Sequence, residues 1–303
     1  MTIDQWAKEL ADITSRENIK INESLKKYTM TKIGGNADIL VMPETEEEVE
    51  GIVKYTHNNK IPLLILGNGS NMIVRDGGVR GIVMNLSKLN EIRIEGTEVY
   101  AQSGALIMDV SKKAAEASLT GFEFACGIPG SVGGAMAMNA GAYGGEINDV
   151  IVHSTVLTRE GERLVLSKEE LELGYRKSII ADKNYIVLSS LFRLEKGNKE
   201  EIDAKIADLT FKRQSKQPLE YPSAGSVFKR PPGYFAGKLI QDSGLQGKGV
   251  GGAEVSTKHA GFIINKGNAT ATDYIETIKM VQKVVKEKFG VELELEVKIV
   301  GED

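Results

Sequence analysis

Residues 127 to 145 read Gly-Ile-Pro-Gly-Ser-Val-Gly-Gly-Ala-Met-Ala-Met-Asn-Ala-Gly-Ala-Tyr-Gly-Gly, and no other stretch of the chain limits its fold as much. Around one polar Asn139 there is almost no side chain from which to build a core. What such a run offers is bare backbone, whose amides and positive-φ turns close directly on a phosphate or a planar ring. A flexible linker would also be glycine-rich. It would carry more serine and charge, however, and has no use for Ile128, Pro129, Val132, Met136 and Met138. The run therefore reads as ordered and buried, and as half of a cradle for a bound cofactor.

The 303 residues are long enough for two or three domains, and 41% apolar content suits a globular core. One cysteine, Cys126, has no partner for an internal disulfide, and Met1 to Glu17 lacks the basic start and apolar run of a signal peptide. These features point to the cytoplasm. No apolar stretch approaches the roughly 20 residues of a membrane span. A formal charge of −4 argues against nucleic acid, whose partners usually carry a basic excess. Between Phe211 and Lys248 the balance reverses: Lys212, Arg213, Lys216, Lys229, Arg230, Lys238 and Lys248 face only Glu220 and Asp242. That region is set up for an anion, or is a solvated helix end with scattered lysines.

Periodicity gives the outline. Ile3, Trp6, Leu10 and Ile13 recur at helical spacing. Asp38 to Met42 reads as a strand, Thr45 with Glu48 as a capping box opening a helix to about Asn58, and Ile61 to Leu66 as a buried strand, together a βαβ unit. From Ile82 to Leu194 short strands alternate, with turns at Glu95-Gly96-Thr97 and Arg159-Glu160-Gly161 and a helix near Leu106 to Leu119. Lys199 to Arg213 reads as a connecting helix and 214 to 270 as a loop-rich third unit. Asp273 with Glu276 is expected to cap a helix that buries Tyr274, Ile278, Val281 and Val285 and ends at Gly290. A last strand alternates Val291, Leu293, Leu295, Val297 and Ile299 against Glu292, Glu294, Glu296 and Lys298.

The Ile61 to Leu66 strand runs into Gly67-Asn68-Gly69-Ser70-Asn71, a glycine turn at the carboxyl end of a strand, where open α/β sheets bind ligands. It is not a dinucleotide fingerprint, since no G-x-G-x-x-G follows and no helix begins at once; Val74 to Val83 looks extended. Paired with the 127 to 145 run, it suggests two glycine loops gripping a pyrophosphate from both sides.

Six blocks in order, Thr31-Lys32-Ile33-Gly34-Gly35, Leu66 to Asn71, Gly127 to Gly134, Tyr175-Arg176-Lys177-Ser178, Ala224-Gly225-Ser226-Val227-Phe228-Lys229 and Ala260 to Asn265, resemble the UDP-N-acetylenolpyruvoylglucosamine reductases over nearly the whole chain. The resemblance implies an α+β protein with a vanillyl-alcohol-oxidase-like (PCMH-type) FAD-binding fold of two α+β subdomains, plus a C-terminal substrate-binding α+β domain. The subdomains are expected at 1–82 and at 83–212, the latter joined by the final strand 291–303, with the substrate domain at 213–290. It implies an enzyme of peptidoglycan synthesis in which NADPH reduces FAD and the flavin reduces the enolpyruvyl group of a UDP-sugar to a lactyl ether, with no protein partner called for. The cofactor set becomes Gly67, Asn68, Gly69, Ser70, Asn71, Gly127, Ile128, Pro129, Gly130, Ser131, Gly133, Gly134, Asn139, Ala140 and Gly141. Covalent members of the wider fold link flavin through a histidine in the first loop; Ser70 stands there, so FAD is expected to be non-covalent. His57, His153 and His259 lack metal-ligand spacing and read as surface or structural, and no metal is expected.

Hydride addition from flavin N5 to the vinyl carbon leaves negative charge on the adjacent carbon and its carboxylate, which needs electrophilic stabilisation and one proton. By resemblance Arg176 holds the carboxylate, Glu296 helps stabilise the charge and Ser226 delivers the proton; a lysine, a water or solvent would reprotonate Ser226. Read without the family, an Arg after Tyr is a surface cation, a Ser in Ala-Gly-Ser a turn residue, and Glu296 one of three glutamates on a wet face. Tyr175, Lys216, Lys229 and Arg230 are candidate substrate contacts, the three cations for the diphosphate. The stretch from Arg176 to Phe211 has no room for the tyrosine-bearing lid of one family branch, so the chain reads as the shorter, second type. An FAD-linked oxidase of a small alcohol or hydroxy acid, and a flavin- or nucleotide-binding sensor, are the competing readings.

Overall fold

The computed structural model describes residues 2–303, which form two compact units. The first takes in the chain up to Ile21 with Asp38–Asn68 and Gly81–Arg213; the second takes in Asn22–Ala37, Gly69–Arg80 and Gln214–Asp303.

The first unit is built on two sheets. One runs in the order Ile19–Ser24, Asn36–Val41, Val79–Asn85, Leu63–Leu66. The Glu46–Asn58 helix begins where expected, with Thr45 accepting from the Glu48 amide. The expected capping box is not completed, because the Glu48 carboxylate accepts instead from the Glu44 amide at 2.7 Å and from the Thr14 hydroxyl at 2.9 Å. The βαβ unit skips a position: Leu63–Leu66 pairs in parallel with Val79–Asn85, which separates it from Asn36–Val41. Leu63–Leu66 is thus an edge strand, and only Leu66 in it is buried, which corrects the reading of a buried strand. Val49, Ile52 and Val53 of the helix close a core with Ile39, Val41, Ile82 and Met84. The extended stretch expected over Val74 to Val83 is two strands, Met72–Val74 and Val79–Asn85, broken by a turn.

The second sheet is antiparallel, in the order Arg163–Ser167, Ile151–Leu157, Ile186–Arg193, Glu98–Gln102, Ile92–Glu95. Its two hairpins turn at the glycines read from the sequence, closing Glu95 on Glu98 and Leu157 on Arg163. The Ile107–Glu116 helix and a short Val132–Ala137 helix cover it. Here the glycine run departs from expectation. It is ordered and largely buried, but Val132, Ala135, Met136 and Ala140 belong to the core with Val99, Val110, Phe122 and Phe192. Small side chains build that core by letting a helix sit close, rather than by leaving it empty.

In the second unit, the stretch read as loop-rich holds an antiparallel sheet of very short strands, Ser223–Ser226, Phe262–Asn265, Ala253–Val255 and Gly249–Val250. Strands of two to four residues are too short to show a period in sequence. The Ala271–Phe289 helix packs on them, burying Tyr274, Ile278, Val281 and Val285, and the Tyr274 hydroxyl donates to the Ile263 carbonyl. Its cap is Thr270 in a capping box with Asp273, so Asp273 is the third helical residue and not the cap; Glu276 pairs with Lys279 instead. Asp76 also accepts from the Ala271 and Thr272 amides at the same helix start. The helix ends at Gly290, φ +69°, in the left-handed conformation that glycine favours.

The final segment corrects two expectations. Only Lys298–Val300 is a ladder strand, parallel to Met72–Val74. The stretch 291–297 is extended with a single bridge, Leu295 to Phe228. An extended chain alternates its side chains whether or not it is paired, which is why the pattern read as one long strand. The segment was also expected to join subdomain 83–212. Instead Leu293 and Val297 are buried in the second unit's core, with Ile33, Ile73 and Tyr274.

Candidate active site

In the first unit, the loop after the Leu63–Leu66 strand meets the glycine run. Asn68 donates through Nδ2 to the Pro129 carbonyl at 2.6 Å, and Asn85 Nδ2 donates to the Gly67 carbonyl at 3.1 Å. A Cβ on Gly67 would stand 2.3 Å from Ser131 Oγ and force that hydroxyl from its place, so glycine lets the two loops touch with the Ser131 cap intact. Ser131 is buried and caps the Val132–Ala137 helix by accepting from the Gly134 amide at 3.4 Å. The amides of Val132 and Gly133 donate to the Ala105 and Ser103 carbonyls, and that of Ile107 donates to the Gly130 carbonyl. This corrects one part of the sequence reading. The amides of residues 132–134 are committed within the protein, so the second loop presents a bare surface more than a row of free donors.

That bare backbone surface is the kind on which a flat flavin nucleotide lies. Asn68 also lines a cleft of about 490 Å³, but its other walls are the 87–92 and 104–106 segments and the charged Asp109, Lys112, Lys113 and Glu116 of the Ile107–Glu116 helix, not the glycine run. Gly134 is exposed, and a Cβ there would find only Ser131 Oγ at 3.5 Å. Gly127, Ile128, Pro129 and Gly130 are half-buried on the same run.

Asn139 has a different task from the cofactor contact expected of it. Buried, with φ +44°, it donates through Nδ2 to the Gly174 carbonyl at 3.1 Å and accepts at Oδ1 from the Asn148 amide at 2.9 Å. Ala140 is in the core, with its amide donating to the Ala135 carbonyl and its carbonyl accepting from Ile147. Gly141 pairs with Glu146 in a short hairpin. Ser178 Oγ donates to the Ala137 carbonyl at 2.7 Å. The glycine run is thereby strapped at both Ala137 and Asn139 to the turn that carries Tyr175 and Arg176. That turn is closed by reciprocal Gly174–Lys177 hydrogen bonds of 3.1 Å and places half-buried Arg176 at φ +54°, a strained setting for a side-chain-bearing residue. Tyr175 is exposed, with the Arg176 guanidinium 5.6 Å from its ring centre.

The second unit brings Ser226 and Glu296 onto adjoining backbone. Register between Ser223–Ser226 and Phe262–Asn265 shifts between Ser223 and Ser226, a bulge with Gly225 at φ +72°. No neighbouring atom lies within 4 Å of a Cβ at Gly225, so the backbone conformation alone calls for glycine. Bulges re-aim the side chain that follows, here Ser226. Next to it, the Glu296 amide donates to the Val227 carbonyl at 2.8 Å, and the Lys229 amide donates to the Glu294 carbonyl at 2.9 Å. Asn71 donates through Nδ2 to the Glu296 carbonyl at 3.1 Å. Asn71, expected at the cofactor, also braces the segment that carries Glu296. Gly69, with Ser70 and Asn71, falls in this second unit, and a Cβ on Gly69 would collide with Tyr28.

Glu296 also separates from its neighbours by burial. The side chains of Glu292 and Glu294 are 75% and 76% exposed and pair with Lys286 and Lys229, whereas Glu296 is half-buried. Of the candidate substrate cations, Lys216 is exposed at the end of the Lys199–Lys216 helix. Lys229 reaches Glu294 at 3.4 Å, and the Arg230 guanidinium lies 4.0 Å from the ring centre of Phe235. The basic run is less free than its count suggested, since Lys212 pairs with Asp208 and Lys238 with Asp242, both on helix surfaces. Of the histidines, His259 is half-buried; its Nδ1 accepts from the Gly261 amide, and burial pulls its pKa below the ordinary histidine value. Asn85 and Ser103, which hold the glycine loops, escaped the sequence reading, because lone polar residues beside strands carry no motif.

Comparison with known proteins agrees with this layout. The C-terminal domain model of UDP-N-acetylenolpyruvoylglucosamine reductase matches residues 217–300, and an FAD binding domain model matches 37–167. The UDP-N-acetylenolpyruvoylglucosamine reductase of Geobacillus thermodenitrificans is 64% identical over 295 residues, 97% of each chain. That of Listeria innocua is 62% identical over 285 residues, 94% of this chain and 96% of its own. The crystal structure of the Thermus caldophilus enzyme superposes with a TM-score of 0.80 at 36% identity, covering 93% of this chain and 98% of the other. An alkyldihydroxyacetonephosphate synthase, 16% identical, shares the fold alone over 65% of this chain and 41% of its own, with a TM-score of 0.51. Family, fold and cofactor class coincide: the chain belongs to the UDP-N-acetylenolpyruvoylglucosamine reductase family of FAD-dependent oxidoreductases.

Proposed function

We propose that this chain reduces the enolpyruvyl ether of UDP-N-acetylglucosamine enolpyruvate to the lactyl ether of UDP-N-acetylmuramate, taking its electrons from NADPH through non-covalently held FAD. The observation that carries the reading is the pairing of Ser226 and Glu296: one set on a bulge, the other pinned by its amide to Val227 and by its carbonyl to Asn71. Two polar residues whose backbones are fixed on adjoining, hydrogen-bonded segments suit a reaction that adds a proton to carbon beside developing charge.

FAD, held by the loops at Gly67–Asn68 and Gly127–Gly134, would supply two-electron hydride chemistry between NADPH and the terminal vinyl carbon of the substrate. Hydride addition there would place negative charge on the substrate's next carbon and its carboxylate. Arg176 neutralises that carboxylate as a charge-assisted hydrogen-bond donor. Glu296 shares the developing charge, and Ser226 Oγ–H gives up the proton that completes the C–H bond. Lys216, Lys229 and Arg230 meet the diphosphate. From Arg176 to Lys216 the chain holds only a short helix at Ile179–Asp182, the strands Ile186–Arg193 and Glu195–Lys196, and the Lys199–Lys216 helix, which supports the shorter family type without a tyrosine lid. Ser70, in place of a linking histidine, supports a flavin that acid precipitation releases completely.

The deciding experiment reduces the purified flavoprotein with NADPH under anaerobic conditions and adds UDP-N-acetylglucosamine enolpyruvate. Rapid return of the oxidised flavin spectrum with formation of UDP-N-acetylmuramate is expected. A flavin that stays reduced until oxygen enters, in a protein that oxidises a small hydroxy acid, would replace this reading with the oxidase one.

A further inference from the structure

The Lys199–Lys216 helix buries only Ile202 and Leu209, and the face they define also carries Lys205, Thr210 and Arg213. Along it runs the segment from Glu123 to Gly127, in step. Lys205 meets the Glu123 carboxylate at 3.1 Å, and Thr210 Oγ1 lies 3.9 Å from Cys126 Sγ. The Arg213 stem crosses Gly127, where a Cβ would stand 2.6 Å from Arg213 Cδ and 3.2 Å from Nε. The two cations of this face are therefore answered differently. Lys205 has a carboxylate that is 2% exposed; Arg213 has a bare glycine.

Arg213 is half-buried, and burial lowers the pKa of its guanidinium. The ionisable side chains facing it are the Tyr143 phenol and the Cys126 thiol, and among the described residues no carboxylate pairs with it. A cation partly withdrawn from water without a carboxylate beside it is poised for an anion that a ligand brings. Both Gly127 and Tyr143 belong to the glycine run whose Pro129 is tied to Asn68.

Resting on the FAD-dependent reading above, we propose that Arg213 is a cofactor-binding residue whose guanidinium meets an anionic oxygen of the bound flavin nucleotide, in its diphosphate or at the carbonyl edge of its ring. Gly127 is the residue that lets the arginine reach it.

The test uses the purified holoprotein with FAD as the probe, following flavin fluorescence on dilution at low and high salt, and the midpoint potential of the flavin that remains bound. For a diphosphate contact, Arg213→Gln weakens FAD retention about 10- to 100-fold and flattens its salt dependence. For a ring-edge contact, retention holds and the potential falls by about 30 mV or more, a tenfold change in a two-electron equilibrium. Arg213→Lys restores part of either effect, and Gly127→Ala, which displaces the arginine without removing it, moves the same readout in the same direction. Lys205→Gln is the control: it lowers the melting temperature and leaves both flavin readouts alone. Unchanged retention and unchanged potential in Arg213→Gln and Gly127→Ala overturn the proposal, as does a loss in Arg213→Gln matched by Lys205→Gln. A wild-type protein that carries no flavin would instead break the underlying FAD reading.

Discussion

At Gly67 and Gly133 a Cβ would run into the hydroxyls of Ser131 and Ser103; at Gly225 a Cβ would meet nothing, and a φ of +72° is what calls for glycine. The first region uses glycine to bring one loop against another, leaving a bare backbone surface. The second uses it to bend a strand so that Ser226 is set beside the chain carrying Glu296. Identical residues thus answer to different physics: sterics in the loops proposed to hold the flavin, backbone conformation at the bulge proposed to aim Ser226. If that division is right, substitutions in the two regions fail in different ways, and each pair below is a chance to break it.

The largest contrast is expected within the aiming region. Glu296→Gln should slow reduction of the enolpyruvyl substrate by about 10²- to 10³-fold, the usual consequence of removing one group that stabilises developing charge. Glu294→Gln, one turn of the same alternation away and 76% exposed, should stay within about twofold. Steady-state rates of both variants at saturating NADPH decide it, and equal behaviour would return Glu296 to the wet face of an ordinary extended segment.

Next come the glycines. Gly133→Ala places a Cβ 2.5 Å from Ser103 Oγ, and overpacking of that kind should cost about 1–3 kcal/mol and lower FAD content. Gly225→Ala has room but adopts the left-handed region at a cost of about 1–2 kcal/mol, and should slow turnover while the protein stays yellow. Gly225→Asn should recover most of that loss, because asparagine tolerates the conformation, whereas Gly133→Asn should be worse than Gly133→Ala. Thermal unfolding with flavin content separates the two patterns; a rescue by Asn at both positions, or at neither, would dissolve the distinction.

The smallest effect concerns pH. His259 has a folded-state pKa below its unfolded value of about 6.5, chiefly through burial. Above 6.5 both states are neutral and the contribution is complete. Below it the unfolded chain takes up a proton first, so stability falls with pH until the folded pKa is passed. His259→Asn keeps an acceptor for the Gly261 amide and removes the titration. Its unfolding midpoint should therefore vary less between pH 7 and pH 5 than that of the parent, which differential scanning at the two pH values would show.

How much of this was readable from the chain depended on whether local pattern or tertiary contact made the choice. Thr45, Gly290 and the two hairpin turns were legible because a cap or a positive-φ turn is decided within a few residues. Thr270 was missed in favour of Asp273 because both are good caps three residues apart, and packing of Tyr274 and Ile278 sets the register. The alternation from Val291 to Ile299 was read correctly as alternation and wrongly as a ladder, since a period of two records extension and not pairing. Within the candidate site, the motif blocks pointed to the glycine loops, Ser226 and Glu296 through a family resemblance. They could not show that Asn139 and Asn71 spend their amides on Gly174 and Glu296, nor that Arg213 differs from Lys212 beside it. Those distinctions are made by neighbours 35 to 225 residues away in sequence.

In the proposed mechanism flavin reduction and substrate protonation are served by separate groups, with Ser226 acting only in the second. Stopped-flow absorbance on Ser226→Ala measures both half-reactions in one protein. The account predicts that NADPH reduces the bound flavin at close to the parent rate, while reoxidation by UDP-N-acetylglucosamine enolpyruvate slows by about 10²- to 10⁴-fold, as for loss of a general acid. Equal slowing of both half-reactions, or parental reoxidation, would contradict it.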